Sequence, residues 1–115
     1  MAGEQYIAYL FATVPGISRV GSYTGTGQAG QEILIPDFTG WIRYLLIKRT
    51  DGTGGWWQTF DPGGYTSMIK LNDTAAKEKV TAIAPLANGR GGFQLTTTNA
   101  EFNASGGEYI FYAIA

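Results

Sequence analysis

The chain has 115 residues, 44% of them apolar, so it is long enough for one domain with a single modest core. Eight basic and nine acidic residues give a formal net charge of −1, and this balance argues against nucleic acid as a partner. The sequence contains no cysteine and no histidine, which excludes disulfides, thiol nucleophiles, histidine-dependent catalysis and zinc sites with nitrogen or sulfur ligands.

Period-two alternation between turn residues predicts nine short strands, at residues 5–12, 18–23, 31–35, 41–49, 56–60, 67–71, 80–84, 92–97 and 108–114. Glycine, proline and asparagine clusters separate them and predict turns, whereas only residues 73–79 have a helical pattern. We therefore expect an all-β fold, a single antiparallel β-sandwich resembling a jelly roll, that spans residues 1–115 as one domain. The apolar runs are only strand-length, so no membrane insertion is expected.

The two ends of the chain resemble each other. Residues 3–12 are echoed by residues 106–115, with Gly, Tyr, Ile, Tyr and Ala recurring at an offset of 103 positions. The echo predicts an extra N-terminal strand, and residues 1–14 then form an arm that either covers an edge of its own sheet or exchanges with a neighbouring subunit. A second interpretation is that half-buried strands simply favour the same aromatic and branched residues.

Aromatic side chains in the two echoing segments are the predicted assembly interface. Such residues supply contact area efficiently between subunits. The interface residues are Tyr6, Tyr9, Phe11, Tyr109 and Tyr112.

Three tryptophans suggest a second kind of site, because an exposed indole can stack on a sugar ring. Trp56 and Trp57 are adjacent, so in one strand they point to opposite faces, and one is expected in the core. Trp41 is expected in the core as well. The candidate sugar site therefore uses Trp56 or Trp57 together with Asp51 or Gln58.

Other motifs point to ordinary structural roles. Residues 25–30 match GxGxxG, but a strand rather than a helix follows, so we interpret them as a glycine turn. No pair of carboxylates stands in an apolar setting that would separate their pKa values, so no enzyme activity, no cofactor and no metal site is predicted. Arg90 is expected as a lone exposed charge, and Arg49 as a solvated strand end that meets Asp51. Glycosylation sequons begin at Asn72 and Asn103.

Several longer motifs occur along the chain. They include an I-K-R-x-D-x-x-G-x-W hairpin at residues 47–56 and an N-A-S-G-x-x-Y-x-x-Y final strand that begins at residue 103. A glycine-rich opening at residues 21–27, a Leu-Asn-x-Thr-Ala-Ala turn at residues 71–76 and residues 92–95 belong to the same set. Together these stretches resemble a β-sandwich domain that is common in bacteriophage structural proteins, and the resemblance covers nearly the whole chain, from Tyr6 to Ala115.

The resemblance implies a non-enzymatic virion protein on the particle surface, either a capsid decoration protein or a subunit of a tail fibre or appendage. It would be made in the cytoplasm of the bacterial host. Its expected partners are other copies of itself, with a trimer as one option, and other virion proteins. The alternative is a carbohydrate-binding module that recognises a glycan of the host surface. The family supplies no catalytic or ligand-binding residues to transfer.

Overall fold

Two antiparallel sheets pack against each other in the computed structural model, which describes residues 3, 10–39, 42–60, 68–70 and 82–115. The strands are β1 (Ser18–Thr24), β2 (Gln31–Thr39), β3 (Tyr44–Arg49), β4 (Trp57–Phe60), β5 (Ile69–Lys70), β6 (Ile83–Ala84), β7 (Arg90–Leu95) and β8 (Glu108–Ile114). One short helix, α1 (Ala100–Asn103), and a 3₁₀ turn at Ala87–Gly89 complete the described elements. The predicted all-β, sandwich-like fold is confirmed.

The first sheet has the strand order β1-β8-β3-β4-β5, and the second has the order β2-β7-β6. The first strand thus pairs with the last, and the second with the seventh, which is a nested pairing like that of a jelly roll. The predicted hairpin between β3 and β4 is present. The GxGxxG stretch is a glycine turn, as predicted, with positive φ at Gly27 and Gly30.

Some strand boundaries differ from the prediction. β2 continues through Pro36 to Thr39, with a register shift after Leu34. Proline is tolerated there because β2 is an edge strand, where a missing N–H breaks no ladder bond. The predicted helix at residues 73–79 lies outside the described residues.

The N-terminal segment enters the sheet through a tight turn. Val14 and Ser18 exchange backbone hydrogen bonds, and Gly16 between them has a φ of 72°, which suits glycine. The predicted first strand at residues 5–12 falls largely outside the described residues, and residues 10–13 are not in a strand. The Asp37 carboxylate holds this turn from the second sheet, accepting from the Gly16 N–H at 2.9 Å and from Arg19 at 2.6 Å.

Aromatic rings from both sheets form the centre of the core. Tyr23 and Tyr109 lie directly opposite each other on β1 and β8 and stack with their ring centroids 4.9 Å apart. Phe93 of the second sheet packs edge-on against Phe111 at 5.3 Å and against Tyr23 at 6.0 Å. Gly21 leaves room for the Phe111 ring, since a Cβ there would lie 2.6 Å from that ring. These contacts join the two sheets.

The buried Tyr23 hydroxyl predicts how stability responds to alkaline pH. Burial, and then its neighbour Tyr109, raise the pKa of Tyr23 above the ordinary tyrosine value of about 10. The folded protein therefore keeps this proton where the unfolded chain releases it. The contribution of this hydroxyl to the free energy of unfolding is complete below about pH 10. Above that pH the contribution falls by about 1.4 kcal/mol per pH unit.

The measurement is urea unfolding between pH 9 and 11, on the parent and on Tyr23→Phe. The variant loses the 2.7 Å hydrogen bond from Tyr23 to the Phe102 carbonyl, so it should be less stable at neutral pH by about 1 kcal/mol. Its stability should fall less steeply above pH 10, since one titrating group is gone. Equal slopes for the two proteins would contradict the assignment to Tyr23.

Candidate assembly surface

Alternation along the strands of the first sheet leaves one set of side chains on the side away from the core. Tyr109, Phe111 and Ala113 of β8 point inward, so Ile110 and Tyr112 point outward. Cross-strand register extends this surface over three further strands. We call it the outer face, and it consists of Val20, Tyr44, Leu46, Gln58, Phe60, Ile110, Tyr112 and Ile114, with Phe11 lying over it.

A row of aromatic rings crosses the outer face. Phe11 packs on Tyr112 with centroids 4.4 Å apart, Tyr112 contacts Tyr44 at 6.4 Å, and Tyr44 contacts Phe60 at 5.4 Å. The Tyr44 hydroxyl donates to Gln58 Oε1 at 2.8 Å, and burial raises the pKa of Tyr44. Leu46 lies between Tyr112 and Gln58 in the register and is only 4% exposed, although it faces away from the core. The row is therefore packed before any partner arrives.

The outer face still exposes much apolar surface. Phe11 is 47% exposed and Phe60 44%, and Val20 and Ile110 are similar at 44% and 40%. Among the described strand residues on this side, charge occurs only at one end, at Lys48 and Glu108. A contiguous patch of aromatic and branched side chains without charge at its centre is typical of a protein–protein interface.

The structure sorts the predicted interface residues into three groups. Phe11 and Tyr112 come together on the outer face. Tyr109 is fully buried, and its hydroxyl donates to the Ala100 carbonyl at 2.6 Å, so it presents no surface to a partner. Residues 109 and 112 are separated by an odd number of positions and must therefore point to opposite faces of β8. Tyr6 and Tyr9 lie outside the described residues.

The predicted sugar-site residues do not converge on one surface. Trp57 is in the core, 3% exposed, while Trp56 is 36% exposed, so the prediction that one is buried and the other exposed is confirmed. Gln58 is on the outer face and bonded to Tyr44. Asp51 lies in the β3–β4 loop and contacts the Arg49 guanidinium at 2.9 Å, which confirms the predicted contact of this pair. The hydrogen bond from Arg49 lowers the pKa of Asp51. Sugar binding through Trp56 stays a prediction, and Trp41 lies outside the described residues.

One sequence-based expectation about a polar residue is wrong. Arg90 is not a lone charge, because it forms an ion pair with Glu32 at 2.5 Å across the β2–β7 pair. Asn103, which begins a glycosylation sequon, has a side chain that is fully buried and hydrogen-bonded. Within the described residues, no group of three acidic side chains could hold a metal ion, and no helix is long and apolar enough to cross a membrane.

Sequence reasoning missed Val20, Tyr44 and Phe60 as members of the interface candidate. Side-chain alternation does place each of these residues on the outward side of its own strand, and this pattern in the sequence could have identified them. Their common surface, however, depends on β1 and β3 flanking β8, and these pairings join residues far apart in the chain.

Comparisons with known proteins identify a family but no individual relative. The family model for a domain of unknown function (DUF7483) matches the chain over residues 1–115. Neither curated proteins nor solved structures gave a match.

Proposed function

Since the chain belongs to the DUF7483 family, whose function is unknown, we propose a role from its own surface and motifs. The protein is a non-enzymatic structural component of a bacteriophage virion. It is displayed on the particle surface as a capsid decoration protein or as a subunit of a tail fibre or appendage. It acts by associating with other copies of itself and with other virion proteins.

The exposed aromatic row is the observation that carries this proposal. Phe11, Tyr112, Tyr44 and Phe60 form a continuous apolar surface on a pleated sheet. A surface of this kind is more costly to leave in water than to bury against a partner. A rigid, already packed surface also loses little side-chain entropy when a partner binds.

The residues behind the phage resemblance support a structural role rather than a catalytic one. Arg49 of the I-K-R motif bonds to Asp51 and to the Ala100 carbonyl. Asn103 of the N-A-S-G motif holds the turn between β1 and β2. Position 25 requires glycine, because a Cβ there would lie 2.2 Å from the Ala104 carbonyl oxygen. Each of these motif residues maintains the fold.

Light scattering over a range of concentrations tests the assembly role. The full chain should have a mass above that of one chain. The double variant Val20→Ser with Phe60→Ser should weaken association by about tenfold or more, because it removes two exposed apolar side chains from the interface. Leu34→Ser is the matched control, since Leu34 is 57% exposed on the second sheet and should leave association unchanged.

The opposite outcomes are equally informative. A double variant that associates as tightly as the parent contradicts the outer face as the interface. If the full chain is a monomer throughout, the carbohydrate-binding module becomes the better proposal, with the exposed Trp56 as its stacking side chain.

A further inference from the structure

Strand β1 forms one edge of the five-stranded sheet. Every second residue of β1 directs its N–H and C=O groups away from β8 and out of the sheet. Ser18 exchanges backbone hydrogen bonds with Val14, on the side opposite β8. In an antiparallel strand both the N–H and the C=O of alternate residues point to the same side. Val20, Ser22 and Thr24 therefore face this edge as well.

Side chains close the two ends of the edge but not its centre. The Val20 N–H donates to Thr13 Oγ1 at 3.0 Å, and Gln31 Nε2 donates to the Thr24 carbonyl at 2.8 Å. Within the described part of the chain, no hydrogen bond reaches the Val20 carbonyl or the outward N–H and C=O of Ser22, and both residues are exposed. These groups are a ready template for another strand.

The other sheet edges are less suitable for pairing. β5 and β6 have two residues each in the part of the chain that the structure describes. β2 contains Pro36 and a register shift between Leu34 and Thr39. Short edges, proline and bulges are the devices that discourage strand addition. Among the described strands, β1 is the edge that is both long and regular.

Residues 10–12 of the same chain do not continue a ladder along this edge. A continued hairpin ladder would bond the Ala12 carbonyl to the Val20 N–H, but the carbonyl accepts from Ser18 Oγ at 2.8 Å instead. Phe11 then crosses to Tyr112 on the outer face. Leu10 is 93% exposed, so this large aliphatic side chain has almost no cover within its own protomer.

We propose that the edge of β1 at residues 20–24 binds residues 5–10 of a second copy as an added antiparallel strand. Those residues repeat the pattern of β8, the strand that already pairs with β1 on its other side: Tyr6, Ile7 and Tyr9 recur as Tyr109, Ile110 and Tyr112. A segment with the same alternation suits the same strand. This docking rests on the proposed self-assembly and specifies its partner and its site.

Disulfide trapping between full-length chains tests the docking, because the parent contains no cysteine. Ser22→Cys is mixed with ¹⁵N-labelled Ala8→Cys or Ile7→Cys under mild oxidation, and mixed dimers are identified by mass. Two neighbouring arm positions are used because adjacent residues point to opposite faces. Each chain carries one cysteine, so a mixed disulfide must join two copies. Thr53→Cys, exposed in the β3–β4 loop, replaces Ser22→Cys in the control.

A mixed disulfide is expected between the Ser22→Cys chain and one of the two arm variants. No mixed disulfide is expected when the Thr53→Cys chain replaces the Ser22→Cys chain. Equal yields from Ser22→Cys and Thr53→Cys overturn the docking. If light scattering shows an oligomer but no mixed disulfide forms at Ser22→Cys, the edge docking is wrong while the proposed assembly stands. A chain that is monomeric and forms no mixed disulfide overturns both.

Discussion

Asn103→Ala is expected to lower the free energy of unfolding by about 3 kcal/mol, because it leaves several backbone groups without partners. Asn103 Nδ2 donates to the carbonyls of Gln28 and Thr97 at 2.8 and 3.0 Å. Its Oδ1 accepts from the Thr26 N–H at 2.8 Å. One buried side chain therefore joins α1 to the turn between β1 and β2, and alanine can replace none of these bonds.

Asn99→Ala is the matched control for this prediction. The Asn99 side chain is exposed and accepts one hydrogen bond, from the Glu101 N–H at 2.9 Å, at the N-terminus of α1. Its loss should cost about 1 kcal/mol, as for other helix caps. Denaturant unfolding measures both variants. If Asn103→Ala is no more destabilised than Asn99→Ala, the Asn103 side chain does not hold the turn as described.

Phe93→Ala should be the most damaging substitution in the core, with a loss of about 3–5 kcal/mol. Phe93 is fully buried, and its ring contacts Tyr23 and Phe111 of the opposite sheet. Truncation removes the ring that joins the two sheets and leaves a cavity that the surrounding strands can fill only in part. Because whole domains are stable by about 5–15 kcal/mol, the variant is expected to unfold at a much lower denaturant concentration than the parent.

Phe60→Ala removes the same kind of ring from the outer face. It shows whether a ring on this face contributes to folding stability, as Phe93 does, or mainly to assembly. Phe60 is 44% exposed, so its removal should cost less than about 1 kcal/mol of folding stability. Unfolding is measured at low protein concentration, because association adds apparent stability at high concentration. A Phe60→Ala protein destabilised as strongly as Phe93→Ala would show that the outer face belongs to the folding core.

Local sequence patterns were enough to predict most of the strands. β8 was predicted at residues 108–114 and has those bounds, since period-two alternation in a run of aromatic and branched residues that follows two glycines is a local property. The same alternation shows that Tyr109 and Tyr112 lie on opposite faces. The prediction grouped these two tyrosines in one interface because it followed residue type and ignored the odd number of positions between them. The boundary error at β2 arose because Pro36 suggests a strand end, while an edge strand tolerates proline.

The sequence by itself determined the fold class, the turns and the alternation of side chains between the two faces of each strand, because these depend on neighbours within a few positions. Only the tertiary structure decided which outward residues form a common surface. The row from Phe11 to Phe60 exists because β8 lies between β1 and β3, with β4 beside β3. The Asn103 contacts with Thr26 and Gln28 span more than seventy positions. Such contacts follow from the complete strand order, which burial of both inner faces determines and which no local pattern contains.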